Sequence, residues 1–271
     1  MSHFSVAVFS HHPGEVEELL APYNEQTEDE EYLEFEEASE SMEDIRARYA
    51  QEKRESESFE SFLNRWYGYD YNEELDACGY LCNPNAKWDW WEIGGRWHNE
   101  LRLKQGEKCD QAQIKDIDFS LNEEALEQAR RFWEVCVEGQ PLAQNENPED
   151  FKPFFRKEYY IDQFGDKETY ATRVTGFTCW AFVAPNGEWY ENGQMGWFAA
   201  NDATKETRDR FALELEDMLK SDPNLWLTIV DCHIFLRGGS TTGFQIHAAH
   251  LSGTAALRLR YSCAGQTGAN S

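Results

Sequence analysis

Two short stretches of this chain concentrate residue types that do chemistry. The first is Lys87-Trp88-Asp89-Trp90-Trp91, followed closely by Gly94-Gly95-Arg96-Trp97-His98. Indole faces stack on flat ligands, and a guanidinium grips a carboxylate or phosphate at two points. Glycines let a ligand approach the backbone. The pattern suits a pocket for a nucleotide base or another aromatic molecule, with Trp90, Trp91, Arg96 and Trp97 as ligand-binding residues. It equally suits a Trp-rich core in which Arg96 stacks on indole and pairs with an acid, and most aromatic clusters are core.

The second stretch is Asp231-Cys232-His233, at the end of the apolar run Leu225 to Ile234. Period two puts Asp231 and His233 on one face of a strand. With His98 they are the candidate catalytic residues. Three chemistries fit: a metal site completed by His11, His12 or His98, a buried Asp–His hydrogen bond, or a nucleophilic Cys232 beside a histidine. A regular strand points Cys232 away from its neighbours, which weakens the thiol reading. No metal motif accompanies the pair, so a structural Asp–His contact is favoured and no metal or cofactor is assigned. His11-His12-Pro13-Gly14 follows the first strand. It lines the same end of the sheet as Asp231 if the first and last strands are neighbours. P-loop, GxGxxG, HExxH and GxSxG signatures are absent.

The elements that position these residues follow from periodicity. Phe4 to Phe9 reads as a short apolar strand and Glu15 to Leu20 as one or two helical turns before Pro22. Residues 25 to 60 hold fifteen acids against four bases. Met42, Ile45, Tyr49, Phe59, Phe62, Leu63 and Trp66 recur there at near-helical spacing, so 25–66 is expected to be an acidic helical insertion. The Gly94-Gly95 pair marks a bulge or a close backbone approach. His98 to Lys104 alternates as a strand. Ser120-Leu-Asn-Glu123 reads as a capping box opening a helix to about Val137, with Leu126, Ala129, Phe132, Trp133 and Cys136 as its stripe. Residues 151–165 are aromatic and irregular, a short helix or a strand. Pro185-Asn186-Gly187 turns a hairpin. After Met195-Gly196-Trp197-Phe198, a helix over about Ala203 to Lys220 buries Phe211, Ala212, Leu215, Met218 and Leu219, and Leu225 to Ile234 is a buried strand.

Strands and helices in this order predict an α+β fold with a mixed or antiparallel sheet, a ferredoxin-like core being the first expectation, formed as one domain over residues 1–234. Residues 235–271 differ in composition, with three Arg, no acid and six of the eighteen glycines. They are expected to be an atypical, poorly packed C-terminal tail, a late addition such as read-through past an older stop codon.

Charge limits the partners. Fifty-one Asp and Glu against 25 Lys and Arg leave a formal net charge of −26. Such a surface repels phosphate, which argues against direct nucleic-acid or anionic-membrane binding. No apolar run approaches the length of a membrane span. The first residues have no basic region and too short an apolar stretch for a signal peptide, so a cytoplasmic location is expected. Seven cysteines without an export signal read as reduced thiols, and Cys78 and Cys82 lack the second pair that a structural zinc site needs.

The segments MSHFSVAVF, LAPYNE, NPNAKWDWWEIGGRW, GEWYENGQMGWF and LTIVDCHI together resemble a family of proteins encoded by bacteriophages and other bacterial mobile elements. The resemblance covers about residues 1–234 and brings no catalytic residues with it. It implies a bacterial host cell as the setting. An acidic protein in that setting is expected to inhibit a host defence nuclease or another nucleic-acid-binding protein with a basic surface. Glu34, Glu37, Glu40 and Glu43 would stand in for a phosphate row as partner-binding residues. The alternative is a protein or enzyme that binds a small, nucleotide-like molecule through Trp97, Arg96, His98, Asp231 and His233, which requires these residues to converge in one concave pocket and fails if Arg96 and Asp231 lie on opposite faces. A third reading is a regulator of a mobile element, acidic only for solubility.

Overall fold

The computed structural model describes residues 2–193 and 203–234. The expected tail at 235–271 and the stretch Met195 to Phe198 lie outside the described residues. The chain divides into two compact units, one of residues 2–118, 179–193 and 206–234 and the other of residues 119–178 and 203–205.

In chain order the first unit contains β1 (Ser2–Ser10), α1 (Val16–Leu20), β2 (Glu34–Glu37), α2 (Met42–Glu52), α3 (Phe59–Tyr67), β3 (Asp70–Asn72), β4 (Ala77–Cys82), β5 (Trp90–Ile93) and β6 (Gln111–Gln113). The second unit contains α4 (Glu123–Cys136), α5 (Lys157–Phe164) and α6 (Lys167–Thr175). The first unit resumes with β7 (Ala181–Val183), β8 (Trp189–Glu191), α7 (Lys205–Ser221) and β9 (Trp226–Ile234), α7 giving its first residue to the other unit.

The fold is α+β with a mixed sheet, as the element order predicts. Its spine is β1 against β9, antiparallel over all nine residues from Ser2↔Ile234 to Ser10↔Trp226. Both strands are mainly apolar at their centres, Val6 to Phe9 and Leu227 to Val230, where both faces are covered. Phe4, Val6, Val8 and Phe9 are buried, as are Leu227, Ile229, Val230 and Cys232. Each aliphatic side chain buried here contributes about 1.5–3 kcal/mol. β7 joins β1 in parallel and β8 closes that side through the Pro185-Asn186-Gly187 turn, where Gly187 takes φ +85°. On the other side β9 takes two short partners end to end, β6 along Trp226–Thr228 and β5 along Val230–His233. α7 covers the Phe9 and Phe182 face, its Phe211 ring lying 5.6 Å from Phe182. This order does not confirm a ferredoxin-like core. β1 and β7 are parallel neighbours, a pairing that an all-antiparallel ferredoxin-like sheet lacks.

A second sheet, β2-β4-β3, takes β2 from the acidic segment and pairs it with β4, which follows that segment. The expected helical insertion is therefore only partly helical. α2 and α3 form where the apolar stripe recurs, burying Ile45, Phe62 and Leu63. Glu34–Glu37 is instead a strand on β4, because Gly79 opposite Glu37 admits the Glu36 carbonyl where a Cβ would sit only 2.0 Å away. His98 to Lys104 is likewise not a regular strand, since only the bridges Leu101↔Cys109 and Leu103↔Ile117 form.

In the second unit, α4 starts later than a Ser120 cap requires. Asn122 is its N-cap, accepting the Ala125 N–H at 3.0 Å. Leu126, Ala129 and Trp133 pack against Tyr160 of α5 and Tyr170 and Ala171 of α6. Within residues 151–165, Lys157–Phe164 thus forms a short helix. Asp166 opens α6 by accepting two backbone N–H groups, at 3.0 and 2.9 Å.

Two carboxylates tie stability to acid. Glu57 accepts from Arg65 Nε and Nη2 at 2.7 and 2.8 Å and from the Arg54 N–H, which pulls its carboxyl from 4.5 to about 2. Arg131 and the Ala143 N–H do the same to Glu146, also to about 2. A lowered folded value stabilises the fold above pH 4.5, and that contribution disappears as pH falls through the folded value. Melting temperature should therefore decline between pH 4.5 and about 2. Replacing Arg65 with Met should lower it at pH 7 and flatten that decline.

Candidate functional site

The antiparallel spine brings the start of β1 beside the end of β9. His3 pairs in register with His233, and His233 with Trp90 of β5. These three positions form one row on one face of the sheet. Two residues along, Ser5, Asp231 and Glu92 form the next row on that face.

Two histidine–carboxylate contacts occupy this sheet end. His3 Nδ1 lies 2.8 Å from Asp231 Oδ1, and His233 Nδ1 lies 2.5 Å from Asp89 Oδ1. Asp231 is 1% exposed, so its charge needs partners. It receives a second one from the Arg96 backbone N–H, which donates to Oδ2 at 3.0 Å. The His3 and His233 rings stand edge to face with centroids 5.0 Å apart. Trp90, 46% exposed, reaches across to His3 at 6.2 Å. His233 Nε2 is buried and has no hydrogen-bond partner.

Glycine makes the Arg96 contact possible. Gly94 donates its N–H to the Ile229 carbonyl at 2.8 Å and takes φ +73°, while Gly95 takes φ +50°. A Cβ on Gly95 would sit 2.4 Å from the Asp231 Cβ, and one on Gly94 would sit 2.6 Å from Asp110 Oδ2. The pair is a close backbone approach, as its place in the sequence suggests, and the approaching group is a carboxylate of the protein itself.

Other candidate residues are dispersed. Trp91 opposes Cys232 in register and so faces away from Trp90, with its ring edge-on to Trp88. Trp88 is core, donating its indole N–H to the Leu20 carbonyl at 3.1 Å. Trp97 is half-buried in the short turn Gly95–Trp97, and the Arg96 side chain is exposed. His98 belongs to a separate, exposed contact, its Nδ1 2.6 Å from Asp110 Oδ2. His11 and His12 lie at the opposite end of β1, where Ser10 meets Trp226. The first and last strands are neighbours, but their antiparallel direction carries that loop away from Asp231. Cys232 is fully buried on the opposite face, and burial pushes its thiol well above the ordinary value. Cys78 contacts Met42 and Cys82 contacts Glu36, so the two thiols serve different neighbours. Among the described residues no set of three or more His, Cys, Asp or Glu side chains is arranged to hold a metal ion.

The acidic candidates are arranged differently from the helix face expected of them. Glu34 and Glu37 are the exposed ends of β2, Glu40 lies in the following loop, and Glu43 opens α2. Tyr69 donates its hydroxyl to Glu40 at 2.9 Å. None of the four forms an ion pair with Lys or Arg among the described residues. The nearest bases serve other acids: Arg46 pairs with Asp76, Arg48 with Glu52 and Arg65 with Glu57.

Reading the sequence alone missed His3, Asp89 and Asp110. Full-length antiparallel pairing of the first and last apolar runs was the signal for His3, since it sets residue 3 opposite residue 233. No family profile, curated protein or solved structure matches this chain.

Substituting Gly95 with Ala should force a side chain into Asp231 and strain a positive φ, costing about 2–4 kcal/mol in denaturant unfolding. Gly14→Ala, with nothing within 4 Å of its Cβ, should change stability by less than about 1 kcal/mol.

Proposed function

We propose that this chain binds a small, nucleotide-like molecule at the end of β9, as a ligand-binding protein or an enzyme. The observation that carries this reading is the convergence on Asp231 of His3 and the Arg96 backbone, beside His233. Polar groups held this firmly at a strand end, next to an exposed indole and an exposed guanidinium, supply what such a ligand needs. Trp90 offers a stacking face, Arg96 an anion contact, and the imidazoles proton donors or acceptors. Trp91 and Trp97 have no role in this arrangement.

The reading predicts that a nucleoside phosphate raises the melting temperature, because a ligand at 100 times its Kd stabilises by about 2.7 kcal/mol. Trp90→Ala and Arg96→Ala should remove the shift while leaving the circular dichroism spectrum intact. A panel of nucleoside mono-, di- and triphosphates that leaves the native protein's melting unchanged would reject the reading.

A second function is favoured by a separate observation. From Glu25 to Asp44, eleven of twenty residues are acidic and none is Lys or Arg. Glu34, Glu37, Glu40 and Glu43 are exposed there without cationic partners from the described residues. A strip this acidic supports an interaction protein that covers the basic surface of a host defence nuclease or nucleic-acid-binding protein. In this reading, which takes up the resemblance to bacteriophage and mobile-element proteins, the partner would be a protein of the bacterial cytoplasm. Neither nucleic acid nor a membrane is a direct partner in this reading, and no described helix is long and apolar enough to cross a membrane. Binding driven by this strip should weaken several-fold between about 0.1 M and higher salt. Replacing all four glutamates with Lys should abolish capture of the partner from host lysate, and unchanged capture would reject the mimic.

A further inference from the structure

We infer that His3 and His233 are the protein ligands of a divalent transition-metal ion of the zinc class. This rests on the reading of the β9 end as a binding site and names what the imidazoles hold there.

Three observations point to an ion. In both rings Nδ1 is engaged by a carboxylate, Asp231 for His3 and Asp89 for His233. With Nδ1 as the donor, Nε2 of each neutral ring carries a lone pair. Carboxylate, imidazole and metal in series is the usual way a metal-binding histidine is fixed in tautomer and direction. The Arg96 N–H strengthens one such series by holding the second oxygen of Asp231.

The second observation is His233 Nε2 itself, buried and without a partner. A bare acceptor in that position calls for a donor or an ion. A trapped water needs about two to four polar partners. The residues flanking His233 in its row are the rings of His3 and Trp90.

The third is the separation of the rings, 5.0 Å between centroids at an interplanar angle of 64°. Zinc–nitrogen bonds are ~2.0–2.1 Å, so imidazoles sharing one tetrahedral ion have centroids on the order of 5 Å apart. Nitrogen ligands of this kind suit zinc, copper and nickel better than magnesium or calcium. Two nitrogens are too few for a closed structural site. Catalytic zinc keeps three protein ligands and one open position, so an ion held by these two imidazoles leaves two positions of a tetrahedron to water or to the bound molecule.

Cobalt(II) and zinc(II) titrations of the full chain test this. The native protein should take up one equivalent of cobalt with visible absorption bands of low-symmetry nitrogen coordination, and zinc should displace it. His3→Ala and His233→Ala should each lower affinity by at least ~10-fold, and Asp89→Asn by ~10–100-fold through loss of imidazole orientation. His233→Gln keeps the side-chain volume if the alanine variant unfolds, and circular dichroism reports which variants are folded. The double variant His11→Ala/His12→Ala should bind as the native protein does. Native binding no tighter than that of folded His233→Gln overturns the ion, as does loss of binding in the His11/His12 variant. A nucleotide-induced melting shift that survives chelator, with no cobalt bound, keeps the ligand site and overturns the ion. Loss of both overturns both.

Discussion

The nine-residue antiparallel register between β1 and β9 is the constraint on which the sheet end depends. Buried on both faces, these strands have no freedom to slip, because a one-residue shift would carry every side chain to the opposite face, against different packing partners. That rigidity brings His3 to His233 and leaves β9 one free edge, which β5 and β6 share. The edge then sets where the chain crosses the sheet at Gly94-Gly95, and so where the Arg96 N–H points. His3, Asp231 and His233 thus sit on the framework strands themselves, fixed in place by the backbone pairing of mainly apolar segments.

Asp231 is the point of greatest electrostatic cost in that framework. Removing an ionised carboxylate from water costs several kcal/mol unless its oxygens are satisfied. Here an imidazole from β1 and a backbone N–H from the turn after β5 share the two oxygens, both brought there by pairing on β9. Evolution can fill such a position with a hydrophobic residue at little loss of stability. Keeping the charge there is most readily understood as serving the histidines beside it. Asp110 plays a comparable part for His98 and the Asn99 N–H on the outer side of the glycine pair.

Much of this architecture was legible in the sequence, for identifiable reasons. Phe4 to Phe9 and Leu225 to Ile234 announce buried strands by their mainly apolar character. Pro185-Asn186-Gly187 announces its turn, and the stripes of α4 and α7 announce helices. The period-two argument correctly set Asp231 and His233 on one face and Cys232 on the other. The rest depended on pairing, which no local pattern encodes. His3 and Asp89 are single polar residues in aromatic or apolar surroundings and acquire meaning only from a partner more than a hundred residues away. β2 was hidden because a run of glutamates reads as helix until Gly79 supplies a place for it to pair. α6 escaped because Lys167 to Thr175 has weak helical periodicity and is held by its Asp166 cap and by Tyr170.

The spine joins the two ends of the described chain, and this has a consequence for biosynthesis. Ribosomes add about 5–20 residues each second. Some 220 residues separate the partners across β1 and β9, so the first strand waits on the order of 10–45 s for its neighbour. During that interval an apolar strand with two open edges is available to the wrong partners. The acidic segment emerges soon after β1, and its like charges repel other copies of the growing chain. Folding of the first unit is a late, cooperative event that cannot begin in earnest until Trp226 to Ile234 have left the exit tunnel.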